Sequence, residues 1–245
     1  MGNMCFSQVF CCVLFVPSVC TNKLDKPNII IPTVDDLGWN AILSSLTIMT
    51  ANSKNHQTPN IDKFAGGSFN FCNAISVSPV SAPMRSSLLT GKYISSTVMV
   101  INELNLNLDH KTIAHVLNEN GYNCGYVGKM HLNDKHSRNY KKGPERFGFD
   151  HYWAGYSFSH NSYRAFYYTD DDGKEYRVNL TGKYGPEEFT TLACKYIERA
   201  SSEDKPFVLF LSWNPPHNPW NRKNVPQENY DKFKDTRFDL PPNFR

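Results

Sequence analysis

Phe207-Val208-Leu209-Phe210-Leu211 carries no polar side chain at any position. A strand with one wet face alternates apolar and polar residues, so a run that is apolar throughout belongs to a strand covered on both faces. Such strands sit at the centre of sheets with helices on either side. Upstream, Glu187 to Ala200 reads as a helix, opened by Pro186 and acidic residues, with Phe189, Leu192, Ala193, Tyr196 and Ile197 along one side. Asn123 to Val127 reads as a second strand. Thr112 to Asn120 reads as the helix before it, with Ile113, Val116 and Leu117 on one face and Gly121 as the stop. Asn28 to Ile31 opens another strand, which Pro32 either ends or confines to an edge. Asn60 to Ala65 forms a short helix under Pro59. The alternation predicts an α/β domain with a mixed, largely parallel central sheet flanked by helices.

The remaining 133–184 region is polar and aromatic and reads as a surface insertion near a site. With 245 residues, the chain is long enough for one sizeable core. Its 40% apolar and 13% aromatic content excludes a disordered chain, and a net charge of only +3 argues against a dedicated nucleic-acid binder. Residues 1–22 contain an apolar run from Val9 to Val19 and read as a secretory leader without the usual basic start. The expected location is therefore secreted or periplasmic. Cys20 is the candidate for a lipid anchor, although Pro17-Ser18-Val19 before it matches poorly. No span beyond the leader is long and apolar enough to cross a membrane. Four of the seven cysteines lie in the leader; Cys72, Cys124 and Cys194 are scattered and form neither a disulfide framework nor a zinc pattern.

Chemistry concentrates in Ser81-Ala82-Pro83-Met84-Arg85, followed by Ser86-Ser87-Leu88-Leu89-Thr90-Gly91. The spacing predicts a helix with Ser81 just before it, Pro83 in its first position and Gly91 at its far end. A helix start offers free N–H groups and a partial positive charge to an oxyanion. Arg85 adds a forked cation that suits a tetrahedral anion. An isolated S-x-P-x-R reads better as a capping serine beside a surface arginine.

The segment resembles the activation motif of the sulfatase family, C/S-x-P-x-R with a following Leu-Thr-Gly. Four more segments resemble that family in the expected order: Asp35-Asp36-Leu37-Gly38, Thr58-Pro59-Asn60-Ile61-Asp62, Gly128-Lys129-Met130-His131-Leu132 and Pro216-His217-Asn218-Pro219. The resemblance implies an alkaline phosphatase-like fold, a calcium ion, and oxidation of Ser81 to formylglycine, whose hydrate attacks a sulfate ester. It implies Asp35, Asp36 and residue 81 as metal ligands, and Ser81, Arg85, Lys129, His131 and His217 as catalytic residues. A serine-type site implies an anaerobic-type, formylglycine-generating maturase, as found in anaerobic bacteria. The loop Trp213-Asn214-Pro215-Pro216-His217-Asn218-Pro219 looks like those of bacterial carbohydrate sulfatases, so the expected substrate is a sulfated glycan or another sulfate ester. His160 and Asn161 are the weaker candidates for sugar contacts.

Topology supports convergence of these motifs. Asp35-Asp36, Lys129 and His217 each follow a predicted strand, and sites in open α/β sheets form beyond the carboxyl ends of the strands. Both aspartates reach one ion only where their strand has ended, and Gly38 is the residue expected to permit that bend. Lys129 and His131, two apart on an extended backbone, are expected to point the same way, with His131 near its ordinary pKa and able to move protons. Family members continue with another Asp-Asn pair, a further lysine and a smaller C-terminal domain. Residues 26–245 thus read as the N-terminal portion of a catalytic domain, incomplete at its C-terminus, expected to bind calcium poorly and hydrolyse little. Two alternatives stay open: a phosphate or phosphonate monoester hydrolase of the same superfamily, and a non-catalytic remnant that binds glycan.

Overall fold

The computed structural model describes residues 14–15, 26–38, 57–71, 74–133, 140–171 and 174–237. Seven strands form one sheet: β1 (Leu14–Phe15), β2 (Ile29–Val34), β3 (Asn123–Lys129), β4 (Tyr152–Tyr156), β5 (Phe166–Asp171), β6 (Lys174–Asn179) and β7 (Phe207–Trp213). Their order is β1-β2-β7-β3-β4-β5-β6. The β2, β7, β3 and β4 strands run parallel, while β1, β5 and β6 pair antiparallel. The helices are α1 (Pro59–Gly66), α2 (Ser81–Thr90), α3 (Ile94–Thr97), α4 (Ile113–Glu119), α5 (Gly185–Ala200) and α6 (Gln227–Phe233).

The apolar run of β7 explains the two-sided core. Phe207, Leu209 and Leu211 join a cluster with Phe189, Ala193, Tyr196 and Ala200 of α5. Val208 and Phe210 join the other, with Ala82 and Leu89 of α2, Ala114 of α4 and Tyr126 of β3. Alternate side chains of one strand thus feed both layers. Full burial of each such large apolar side chain contributes roughly 1.5–3 kcal/mol.

Three expectations need revision. The β2 strand does not stop at Ile31; it continues through Pro32 to Val34, paired throughout with β7. On its other side the pairing among the described residues reaches Ile29 and Ile30. In α4, Ile113 and Val116 are exposed and fully buried Ala114 faces the core. The cause is a close approach: Ala114 and His115 pack against Gly148, and Thr112 donates its hydroxyl to the Phe147 carbonyl at 2.6 Å. Finally, residues 133–184 are more than a surface insertion, because they supply β4, β5 and β6. Within them Arg146 is fully buried yet pairs with Asp170 at 2.6 Å and Glu175 at 2.8 Å, and stacks over Trp153. That internal neutralisation places a polar-looking stretch inside the fold.

Candidate active site

Three parallel strands end level with one another. Register sets Thr33 of β2 and Gly128 of β3 on either side of Ser212 of β7. One residue or two further on come Asp35, Lys129 and Asn214. The α2 helix begins beside them. Its first residue is Ser81 itself, with Val80 as N-cap, so Pro83 falls at the third helical position. That still suits proline, because the first helical N–H groups have no partner within the helix. Gly91 ends α2 at φ 67°, as the motif predicts.

Ser81 Oγ accepts a hydrogen bond from Arg85 Nε at 3.1 Å and lies 3.5 Å from Asp35 Oδ1. Arg85 Nη1 donates to the Lys129 carbonyl at 2.6 Å and to Ser212 Oγ at 2.7 Å, and Nη2 lies 3.5 Å from Asp35 Oδ2. Lys129 Nζ is 2.6 Å from the same Asp35 oxygen and 3.4 Å from Asn214 Oδ1. Asp35, Arg85 and Lys129 are all buried. Burial alone would raise the Asp35 carboxyl, but the Arg85 and Lys129 cations outweigh it and hold the group well below the usual carboxylate range. Two cations share one carboxylate, so the cluster favours an incoming anion.

Asp36 reaches the site because it takes the left-handed conformation, φ 61°, a region aspartate tolerates better than most residues. The bend therefore lies at Asp36 and not at Gly38. His217 Nε2 is 3.7 Å from Asp36 Oδ2, and its ring centroid is 4.1 Å from that of His160. Burial, then Lys129 and His217, push His160 down to about 4. Asn161 lies at the rim, where its side-chain oxygen accepts from the N–H groups of Tyr163 and Arg164 and so shapes the loop.

His131 departs most from expectation. It takes φ 55° just past the end of β3, so the two-residue alternation from Lys129 does not carry to it. The ring is buried against Phe158, and among the described residues neither nitrogen has a hydrogen-bond partner. Burial, then Lys129 and Arg85, push it down to about 2, far from its ordinary value. The unfolded chain therefore takes up this proton first, near pH 6.5, and the stability present above that pH is lost on acidification. The expected share is about 2 kcal/mol between pH 6.5 and pH 5. Urea unfolding at the two pH values should show His131→Gln losing less stability than the parent; equal losses would contradict the assignment.

The candidate metal ligands Asp35, Asp36 and Ser81 are oxygen donors, as a hard cation requires. Their number falls short. Calcium takes about six to eight oxygens, and the described residues contain no group of three His, Cys, Asp or Glu side chains placed to hold a metal ion. Three contributors escaped the motifs, and a fourth, Asn214, was quoted in its loop without a role. Ser212 and Asn214 receive Arg85 and Lys129; Tyr126 donates its hydroxyl to the Lys129 carbonyl at 2.8 Å; Asn102 Oδ1 accepts from the Ala82 N–H at 3.0 Å. Ser212 alone left a signal, as the first polar residue to break the β7 run. Asn102 occupies one of the free N–H groups of α2, which leaves Arg85 and Lys129 as the principal anion donors.

Fold and geometry together describe an α/β domain with a buried, cation-rich cluster at the carboxyl ends of its parallel strands. A model of the sulfatase family matches residues 27–239, and the chain belongs to that family. It is 36% identical over 218 residues to an ulvan-active sulfatase of Formosa agariphila, covering 89% of this chain and 40% of that one. Among solved structures, YidJ of Bacteroides fragilis superposes with a TM-score of 0.74 at 28% identity, covering 88% of this chain and 49% of that one. Another, solved in complex with its substrate D-glucosamine-2-N,6-O-disulfate, superposes with a TM-score of 0.69 at 28% identity, covering 89% and 40%. The chain thus spans less than half the length of each. Among the described residues, no helix is long and apolar enough to cross a membrane.

Proposed function

We propose that this chain carries the nucleophile and the anion-binding half of a carbohydrate sulfatase, an enzyme that hydrolyses sulfate esters on a glycan. The supporting observation is the cluster of Ser81, Asp35, Arg85 and Lys129 at the ends of three parallel strands. Arg85 fixes the position of residue 81 and, with Lys129, stabilises charge on the sulfuryl oxygens. His217, partly buried at the mouth, delivers a proton to the departing alcohol. His131 is kept neutral by burial first and by the Lys129 and Arg85 cations second, and a bound anion offsets the cations' share. Conversion of Ser81 to formylglycine supplies a hydrated aldehyde, which releases sulfate without a second attack by water. The sugar meets His160 and Asn161 at the rim, and the ulvan-active relative and the neighbour bound to a disulfated glucosamine support a glycan. The leader and the maturation chemistry favour export from a bacterial cell after modification by an anaerobic-type maturase.

Mass spectrometry of the Ser81 peptide tests this reading. Chain made alongside such a maturase should carry residue 81 two hydrogens lighter than serine, and the converted protein should bind inorganic sulfate more tightly than phosphate. Active enzyme with unmodified Ser81, or a preference for phosphate, would instead point to a phospho-ester hydrolase. Asp35 and Asp36 would furnish two ligands of a calcium ion. Calorimetric titration of the 245-residue chain is expected to show no saturable calcium binding below about 1 mM. Tight binding would place further oxygen ligands outside the described residues.

A further inference from the structure

Trp220 takes no part in the chemistry above, yet it is 81% exposed while Trp153 is 1% exposed. Its indole N–H donates to the Pro216 carbonyl at 2.6 Å, so the polar edge is occupied and the ring offers an aromatic face. The supporting loop is held in place. Pro215, Pro216 and Pro219 each fix a backbone angle. Asn224 Nδ2 donates to the carbonyls of Pro219 at 3.2 Å and His160 at 3.3 Å, while its Oδ1 accepts from the Ser162 N–H at 2.6 Å. The loops bearing Trp220 and His160 are thereby one unit. His217 lies between Pro216 and Trp220 in sequence, with its ring against His160 and its Nε2 toward Asp36.

We propose that Trp220 is a stacking platform for the pyranose ring next to the sulfated sugar, which rests on the carbohydrate sulfatase reading. A sulfate held by Arg85 and Lys129 directs its sugar outward past His217, and the next ring meets the Trp220 loop. A pyranose presents an apolar C–H face and a polar rim, which matches an indole whose N–H is already satisfied. The ring is pre-oriented, so stacking costs little additional ordering.

Calorimetry on the full chain tests the platform with three probe sets, each a sulfated monosaccharide and its tetrasaccharide from ulvan, carrageenan or heparin. In at least one set the tetrasaccharide should bind about tenfold tighter than the monosaccharide. Trp220→Ala should bring that ratio close to one, and Trp220→Phe should restore most of it. Melting curves of both variants should match the parent, because the ring lies outside the core. No length-dependent gain in any set, or a gain that survives Trp220→Ala, overturns the platform. Inorganic sulfate serves as competitor: if it fails to displace the monosaccharides, the sulfatase reading fails, and a tetrasaccharide gain lost in Trp220→Ala would then mark glycan binding without a sulfate site.

Discussion

Asp35→Ala should cost the folded state about 3–5 kcal/mol, enough to threaten a domain of this size. The substitution leaves Lys129 and Arg85 buried side by side without a counter-charge. Neither side chain can move to water without dismantling the strand ends, because Arg85 is also hydrogen-bonded to the Lys129 carbonyl and to Ser212. Urea unfolding at pH 7 should show the loss directly. Asp35→Asn keeps the shape and removes the charge, so it should fall most of the way with it. A loss under about 1 kcal/mol in both variants would mean that the carboxylate does not compensate the cations. The same pair sets an acid limit. The Asp35 carboxyl titrates lower in the folded state than in the unfolded chain, so its contribution is complete above about pH 4 and is lost as pH falls through the folded-state value. Added sulfate should partly rescue Asp35→Ala, since an anion offsets the uncompensated cations.

Gly128→Ala should be as damaging for a different reason. A Cβ there would sit 2.0 Å from the Ser212 carbonyl oxygen, and the residue adopts φ 101°, which side-chain-bearing residues avoid. Gly128 and Ser212 are register partners in the two central strands, so neither can shift alone. The expected cost is about 3 kcal/mol or more, with a sharp fall in soluble yield. Gly66→Ala is the control. Nothing lies within 4 Å of a Cβ at that site, and the change should stay within about 1 kcal/mol. Similar midpoints for the two variants in a denaturant titration would show that the β3–β7 contact is looser than drawn.

Local rules made some elements legible and left others hidden. Phe207 to Leu211 declared its central place because burial on both faces leaves no position for a polar side chain. Gly91 marked the end of α2 because a left-handed residue needs no side chain. The α2 start slipped by two positions, since proline is tolerated anywhere among the first unpaired N–H groups. Residue types at the site were readable, but not how they pair. Asp35 and Lys129 are 94 positions apart, and no local pattern states that the carboxylate is shared by two cations. His131 read as an ordinary proton carrier because its burial comes from Phe158 on a distant loop. Arg146 was hidden for the same reason, because its partners arrive from β5 and β6.

The concealment of the α2 segment has a consequence for timing. Ala82, Met84, Arg85 and Ser86 are all buried once the sheet has formed, and Arg85 is fastened to Ser212, made 127 residues later. On the sulfatase reading, a maturase must recognise these side chains while they are still accessible. Oxidation of residue 81 then belongs to the nascent chain, in the interval before β7 is synthesised and docks. A molecule that closes with serine still in place shuts itself off from the enzyme that would activate it.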